Sequence, residues 1–352
     1  MRIIGISCVR DEDDIVESFV RHNLGYLDKL YVIDNLSKDK TASILTSLMK
    51  EGLAVEMWKS TSCSNQQDRA ITVAVKKMAE LEPAADFAVL LDADEFLAAP
   101  DRQSFIDDLE KIDRHGYGVM PWKTYIPVED DLENLNPSVS VTSRMTHRRF
   151  AEGSQMYKSV IPKALFGKVR VRPGSHVVTW LDGRACERTV LSSPLAHFPI
   201  RSANQLIAKI ILFNHARMLK KDSRNNESFH WAELATSIRE RNFHITRDEI
   251  REYALSYSVL PVDEKPTEFL YDPLPAHDSI TLKYFDSERE SLIHRFDRYI
   301  IRLQENNHIV PKEDTEFEKK EFHPIGAVRE SLKQGRRWIK RRLGLSRKAR
   351  TT

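Results

Sequence analysis

The sequence predicts an α/β fold built around a parallel, doubly wound sheet. Two observations carry this prediction. Short apolar runs rich in β-branched residues alternate with segments of helical periodicity over residues 3–91, in the order βαβαβαβ. Clusters of polar and turn-forming residues follow the first, second and fourth apolar runs. Because ligands of doubly wound sheets bind beyond the carboxyl ends of the strands, we expect these clusters to gather at one edge.

The elements follow in a regular order. Strands are predicted at residues 3–9, 30–33, 54–58 and 87–91, and helices at 15–24, 42–50 and 68–81. Residues 117–200 carry short strand-like runs between loops, which predicts a mixed, partly antiparallel extension. Helical periodicity returns from residue 202, with helices expected at 231–241, 247–257 and 287–304.

Composition restricts the class of protein. The 352 residues are 41% hydrophobic and 30% charged, which is typical of soluble globular chains, and the net charge of +2 indicates no polyanionic partner. Three cysteines, Cys8, Cys63 and Cys186, lie far apart, which argues against disulfides or a zinc site. No signal peptide or membrane-spanning run is recognised, so we expect a cytoplasmic protein.

The strongest chemical signal is the pair of acids that follows the fourth predicted strand. Asp92 and Asp94 are separated by one residue at the end of an apolar run. Two carboxylates in this arrangement are able to share one hard cation together with the phosphate oxygens that it bridges. Such a cation stabilises a departing diphosphate as a Lewis acid. The alternative interpretation is a solvated turn, but the position after a buried strand favours function.

Three further residues are predicted at the same edge. Asp34 ends the second strand, where it could accept a hydrogen bond from a nucleobase, although such residues also cap turns. Arg10 and Glu12 follow the first strand, where a base or ribose would lie, and the alternative for them is a solvated run of charges. We take all three as candidate donor-binding residues.

The order of these motifs resembles the family 2-like glycosyltransferases that are sometimes grouped with family 92. The resemblance rests on VRDEDDIVESFVRHNLG (9–25), LYVIDNLSKDKT (30–41) and LLDADEFL (90–97). It extends through YKSVIP (157–162), GSHV (174–177) and AHFPIRS (196–202), so that it covers residues 1–215. Beyond that point it fades.

This resemblance implies a GT-A fold, a Rossmann-like mixed sheet, with a nucleotide-diphosphate sugar as donor. It also implies a divalent metal, Mn²⁺ or Mg²⁺, held by Asp92 and Asp94 in the role of a DxD motif. A later histidine often completes such a site, and His176 occupies the corresponding motif, with His197 as the competing candidate. The implied arrangement is a GT-A domain at 1–200, a helical extension at 201–325 and a basic amphipathic tail at 326–352.

Other candidate residues are less strongly placed. Lys158, Lys163 and Arg69 could neutralise diphosphate oxygens, and we favour Lys158 and Arg69. An inverting transfer needs a general base for the acceptor hydroxyl. Asp131, in an acidic run of a predicted loop, is the closest analogue of the acidic base in family 2 enzymes.

The basic tail suggests a further property. Nine Lys or Arg residues and no acids follow from Lys333 to the end, interspersed with apolar side chains. Such a segment could bind an anionic membrane surface, at the inner face, and would suit a glycan or lipid-linked acceptor. A solvated terminus is the alternative, and no nucleic-acid partner is expected because no base-stacking platform accompanies the charges.

The predicted activity is therefore transfer of a hexose-type sugar to a hydroxyl group during polysaccharide or glycoconjugate biosynthesis. Two alternatives stay open at this point. One is a nucleotidyltransferase that makes the nucleotide-sugar, although the acidic run after the first strand suits a triphosphate poorly. The other is a non-catalytic adaptor at a membrane surface with the same fold.

Overall fold

The structure is a computed structural model that describes residues 1–60, 67–128, 139–219, 229–258, 267–274, 280–284, 296 and 323–324. Its strands are β1 (Ile3–Val9), β2 (Lys29–Asp34), β3 (Val55–Lys59), β4 (Phe87–Leu91), β5 (Glu95–Leu97), β6 (Tyr117–Ile126), β7 (His147–Arg149), β8 (Tyr157–Pro162), β9 (Val169–Val171), β10 (Val178–Trp180), β11 (Arg188–Val190), β12 (Leu195–His197), β13 (Phe269–Tyr271) and β14 (His323–Pro324). Its helices are α1 (Val16–Asn23), α2 (Thr41–Lys50), α3 (Gln67–Leu81), α4 (Arg102–Leu109), α5 (Val141–Arg144), α6 (Ala203–Leu219), α7 (Phe229–Glu240) and α8 (Arg247–Ser256).

The main sheet has a parallel half and an antiparallel half. Its strand order is β13-β7-β6-β8-β4-β1-β2-β3-β14, and β3, β2, β1 and β4 run parallel to one another. Val9 pairs with Asp34 and Asp34 pairs with Lys59, so the carboxyl ends of the first three strands are level. The predicted α/β fold with a Rossmann-like mixed sheet is confirmed by this topology.

The antiparallel half brings distant residues to the same edge. β8 runs antiparallel to β4, with Val89 paired to Val160, so the amino end of β8 lies beside the carboxyl end of β4. β6 changes partners along its length: its first half pairs with β8 and β11, and its second half pairs with β12 and β7. Segments that are far apart in the chain therefore meet beyond the end of β4.

Apolar side chains form a core on each face of the sheet. Ala74 and Met78 of α3 pack on one face, whereas Phe19 of α1, Leu45 of α2 and Phe105 of α4 pack on the other. Burial of each of these side chains contributes on the order of 1.5–3 kcal/mol, except for the smaller alanine. The sheet is therefore held rigidly from both sides, which fixes its edge.

A third apolar cluster anchors the C-terminal helices. Side chains of α6, α7 and α8 pack around Ile126 at the end of β6 and Ile200 just after β12. In addition, the buried guanidinium of Arg149 donates hydrogen bonds to the Ala254 and Tyr257 carbonyl oxygens, at 2.7 and 2.6 Å. These contacts fix the helices close to the carboxyl end of the sheet.

A polar network lies at the opposite end of the sheet, beside the amino ends of the parallel strands. The Glu82 carboxylate accepts hydrogen bonds from Tyr31 Oη (2.6 Å) and Arg2 Nη2 (2.8 Å), and Lys29 Nζ lies 3.2 Å away. Burial alone would raise the pKa of Glu82, but these donors outweigh it and hold the pKa below its ordinary value. Glu82 is therefore ionised at neutral pH and contributes to stability there.

Most of the predicted elements are confirmed, with bounds shifted by a residue or two. The structure adds α4 and β5, which the sequence reading left out, and it extends the predicted strand near Val119 to the ten-residue β6. Most of the predicted helix at 287–304 and the whole basic tail from 326 lie outside the described residues. Within the described part of the chain, no helix has the length and apolarity needed to cross a membrane. The division into three regions remains a prediction.

Candidate active site

The acidic turn after β4 is held by its own backbone. Glu95 N donates a hydrogen bond to Asp92 O at 3.1 Å, and Asp92 N donates one to Glu95 Oε2 at 2.8 Å. Asp94 O accepts a hydrogen bond from Phe198 N at 2.8 Å, which ties the turn to the segment after β12. The turn therefore directs three neighbouring carboxyl groups into the region beyond the sheet.

Lys158 forms one half of the site with Asp92. Its ammonium group is fully buried, forms an ion pair with Asp92, donates a hydrogen bond to Gly174 O at 2.8 Å and lies 3.3 Å from Glu95 Oε1. The second oxygen of Asp92 accepts a hydrogen bond from Gln67 Nε2 at 2.7 Å. Lys158 thus donates two hydrogen bonds and is fully enclosed by protein acceptors, so a phosphate could reach it only if one of these contacts broke.

Asp94 forms the other half with groups from the C-terminal part of the described chain. Its Oδ2 atom lies 3.7 Å from His197 Nε2 and 3.7 Å from Lys209 Nζ. Both distances exceed a normal hydrogen bond. Asp94 therefore has two polar neighbours within ion-pair distance of the same carboxylate oxygen.

Two histidines and Trp122 surround this half. The centre of the Trp122 ring lies 4.0 Å from that of the His197 ring, tilted by 30°, and 5.4 Å from that of the His176 ring, which it meets edge-on. His176 Nδ1 lies 2.7 Å from Tyr157 O and so donates to it, which leaves Nε2 as the nitrogen with a free electron pair. Both imidazoles predicted as possible metal ligands are thus near the acidic turn.

Arg201 ties the loop after β1 to this region. Its side chain is only 2% exposed and donates hydrogen bonds to Glu12 (2.8 Å), to both oxygens of Asp14 (2.8 and 2.9 Å) and to Phe198 O (3.1 Å). Charge-assisted pairs of this geometry are the strong ones. Glu12, predicted as a donor-binding residue, therefore lies at the predicted edge, and its carboxylate is held by Arg201.

The remaining predicted donor-binding residues line the same edge farther along the sheet. Asp34 is buried and its Oδ1 accepts a hydrogen bond from Ser37 N at 3.2 Å, as the turn-capping alternative requires. Arg10 Nε donates a hydrogen bond to Asn35 O at 3.0 Å. Arg69 is an exposed residue in the first turn of α3. Their roles toward a donor stay predictions.

One further predicted site residue lies away from the site, and another lies outside the described residues. Lys163 lies at the far end of β8, where its backbone N–H donates to Asp86 O at 2.8 Å and its ammonium group donates to Pro83 O. Lys163 is therefore at the opposite edge of the sheet, and the suggestion that it neutralises a diphosphate was wrong. The reason is that β8 runs antiparallel to β4. Asp131, the predicted general base, lies outside the described residues.

Burial and charge shift the titration of the central groups. Burial by itself would raise the pKa of Asp94, but His197, Lys209 and Arg201 outweigh it and hold the pKa below its ordinary value. Burial lowers the pKa of His197, which favours the neutral imidazole. Burial also raises the pKa of Glu95 to about 8, an effect that Lys158 only partly opposes.

The donor set fits a divalent cation that also binds phosphate. Two donors that share one ion, each about 2.1 Å from it, are roughly 3 to 4 Å apart, and Asp94 Oδ2 and His197 Nε2 are 3.7 Å apart. In the described part of the chain, no three His, Cys, Asp or Glu side chains form a complete metal site. Mg²⁺-type sites need only one or two carboxylates together with substrate phosphates, so an incomplete protein shell is compatible with such an ion.

Several residues of this region escaped the sequence reading. Glu95 directly follows the Asp-x-Asp pair, but a third acid carries no signal of its own. Lys209 had a usable signal, since it is a single cation within the apolar stretch 206–211 of a helix. Arg201 lies within the AHFPIRS motif, but that motif does not reveal its acidic partners, and Trp122 had no signal because its partners are remote in the chain.

Comparisons with known proteins give distant structural similarities only. No family model matches the chain, and no curated protein does. A mannosyltransferase from Pyrobaculum calidifontis, solved with GDP-Man and Mn²⁺, is 14% identical, with 72% of each chain covered and a TM-score of 0.33. Glucosyl-3-phosphoglycerate synthase from Mycobacterium tuberculosis, solved with Mn²⁺ and UDP, is 16% identical, with 56% of this chain and 71% of that chain covered and a TM-score of 0.30.

A similar distance separates the chain from a nucleotidyltransferase. A putative glucose-1-phosphate thymidylyltransferase from Bacillus anthracis is 11% identical, with 65% of this chain and 99% of that chain covered and a TM-score of 0.33. Similarities at this level carry no argument about activity. The function must therefore be inferred from the residues beyond the carboxyl end of β4.

Proposed function

We propose that the protein is a metal-dependent glycosyltransferase that moves a hexose-type sugar from a nucleotide-diphosphate donor to a hydroxyl of a glycan or glycolipid. The observation that carries this proposal is the position of Asp92 and Asp94. They lie directly beyond β4, in the middle of the sheet, and are surrounded by Lys158, His197 and Lys209. Ligands of doubly wound sheets bind at this edge.

The roles of the residues follow from their chemistry. Asp94 and His197, with Asp92, would hold a divalent ion, and that ion would stabilise negative charge on a leaving diphosphate as a Lewis acid. Lys158 keeps Asp92 in place, because its ammonium group is buried and joined to the acidic turn and to Gly174. His176 is the alternative nitrogen ligand. Groups that are fixed before substrate binds cost no reorganisation during reaction, which is the main source of electrostatic catalysis.

The finer assignments are part of the same proposal. Direct displacement by the acceptor hydroxyl would invert the anomeric carbon, with Asp131 as the base that takes the hydroxyl proton. Arg10, Asp34 and Arg69 would contact the nucleotide. The basic tail would bind an anionic membrane surface and bring the enzyme to a lipid-linked or cell-surface acceptor.

A hydrolysis assay tests the proposal without knowledge of the acceptor. Purified protein is incubated with Mn²⁺ or Mg²⁺ and a panel of UDP-, GDP-, ADP-, CDP- and dTDP-sugars, and release of nucleoside diphosphate is measured. We expect slow release from one class of donor, lost in an Asp94→Ala variant. An Asp182→Asn variant is the matched control, because Asp182 lies in an exposed turn and pairs there with Arg184.

Two results would contradict the proposal. Release of pyrophosphate from a nucleoside triphosphate and a sugar 1-phosphate would identify a nucleotidyltransferase instead. The acidic loop after β1 disfavours this outcome. Glu12 and Asp14 would repel a triphosphate to the extent that Arg201, which pairs with both, leaves their negative charge uncompensated. Absence of any nucleoside diphosphate binding in calorimetry with Mn²⁺ would favour a non-catalytic adaptor.

A further inference from the structure

Lys209 reaches the acidic turn from the C-terminal helices. It lies on α6, where Leu206, Ile207, Ala208 and Ile210 around it are buried. Its side chain is 17% exposed, and Nζ lies 3.7 Å from Asp94 Oδ2. A lysine in such an apolar stretch would ordinarily extend its ammonium group into water. Here the ammonium group lies beside the predicted metal-binding carboxylate instead.

The hydrogen bonds of Lys209 are incomplete. An ammonium group has three donors. Among the described residues, Nζ of Lys209 donates a hydrogen bond only to Pro199 O, at 3.2 Å. Lys158 differs in both respects. It is fully buried, and its ammonium group contacts Asp92, Glu95 and Gly174 O. Of these two lysines, Lys209 makes fewer hydrogen bonds and is the one that a ligand could reach.

The surroundings of Lys209 favour an anion as that ligand. Nζ lies 5.0 Å from the centre of the Tyr257 ring, whose π face attracts a cation and so limits where the ammonium group can lie. A charged, partly exposed ammonium group with unused donors is suited to bind phosphate oxygens.

We propose that Lys209 is a phosphate-binding residue that contacts the diphosphate of the bound nucleotide. The inference rests on the proposed function and deepens it, because it assigns part of the donor site to the C-terminal helices. Any phosphate bound to an ion on Asp94 would come within reach of Nζ, since both lie against the same carboxylate. When the bond between the anomeric carbon and the diphosphate oxygen breaks, its electron pair stays on that oxygen, and Lys209 stabilises the added charge.

Calorimetry on the full chain tests this role. Nucleoside diphosphates (UDP, GDP, ADP, CDP and dTDP) are titrated at saturating Mn²⁺ into the wild type, Lys209→Met, Lys209→Arg and the control Lys168→Met, which changes an exposed lysine. Loss of a hydrogen bond to a charged group predicts that Lys209→Met binds the preferred diphosphate about 10- to 100-fold more weakly. We expect Lys209→Arg to recover most of the affinity and Lys168→Met to match the wild type.

Binding of Mn²⁺ alone separates this role from a structural one. Removing a cation from beside Asp94 should leave Mn²⁺ affinity unchanged or tighter, so weaker nucleotide binding could not be ascribed to metal loss. If Lys209 served only as a counter-ion of Asp94, Lys209→Met would bind the diphosphate as tightly as the wild type at saturating Mn²⁺. That result would overturn the inference and leave the proposed function standing. A wild type that binds no nucleoside diphosphate would instead overturn the proposed function, and this inference with it.

Discussion

Arg201 offers the sharpest test of how the site is held together. Its guanidinium is 2% exposed and donates to Glu12, to both oxygens of Asp14 and to Phe198 O, at 2.8 to 3.1 Å. In an Arg201→Met variant the apolar part of the side chain is largely kept, whereas both carboxylates lose their cation. Removing one partner of a buried ion pair costs about 3–5 kcal/mol, because an uncompensated charge stays behind.

Glu12 and Asp14 are themselves 27% and 22% exposed, so water screens part of this penalty. We therefore expect a loss of about 3 kcal/mol, at the lower end of that range. Unfolding by urea at pH 7, followed by fluorescence and circular dichroism, measures the change in the free energy of unfolding. Arg184→Met is the matched control, since Arg184 and Asp182 form an exposed pair that water screens, and this variant should unfold at nearly the same urea concentration as the wild type.

A variant that also removes the carboxylate charges distinguishes this explanation from loss of packing. Arg201→Met combined with Glu12→Gln and Asp14→Asn should be more stable than Arg201→Met alone, because no buried charge is left unpaired. A loss below about 1 kcal/mol in Arg201→Met would refute the reasoning. So would a triple variant that is as unstable as the single one.

Two further predictions concern the framework of the sheet. Glu82→Gln should lower the free energy of unfolding by about 2 kcal/mol at pH 7. Glu82 has a depressed pKa when folded, so its contribution to stability is present above the unfolded pKa of about 4.3 and is lost as the pH falls through the folded pKa. The difference in the free energy of unfolding between the wild type and Glu82→Gln, measured with urea at pH 7, 5 and 4, should therefore shrink. Gly5→Ala should cost about 1–3 kcal/mol in the same assay, since the added Cβ would lie 2.6 Å from methyl groups of Leu27 and Leu30; an unchanged midpoint would contradict this.

Local patterns were sufficient to predict the parallel half of the fold. The apolar run at β4 ends in Asp92 because a buried strand tolerates no charge until it leaves the core, and the same logic located Asp34 at the end of β2. Helical periodicity likewise predicted α1 to α3. These features depend only on residues that are close together in the chain, so they can be recognised in a single sequence.

The partners of the acids could not be predicted in the same way. Lys158 and Lys163 lie five residues apart on or beside one strand, and both were candidates by sequence, with Lys158 favoured; β8 places them at opposite ends of the sheet. The direction of that strand depends on its pairing with β4, which is a long-range contact. Arg201 and Lys209 lie near the end of the region that the family resemblance covers, and their acidic partners lie more than a hundred residues earlier.

The distribution of charge explains why a cation and Lys209 would act together. Carboxyl groups outnumber cations in both halves of the site: Asp92 and Glu95 with Lys158, and Glu12, Asp14 and Asp94 with Arg201 and Lys209. Asp92 and Asp94 by themselves would repel a diphosphate, whereas a divalent ion held by them would attract it, so metal and nucleotide should bind interdependently. Lys158 and Arg201 are already engaged by protein acceptors. Lys209 is the remaining cation of this group that could transfer its contact from Asp94 to a phosphate once an ion has taken up the carboxylate's charge.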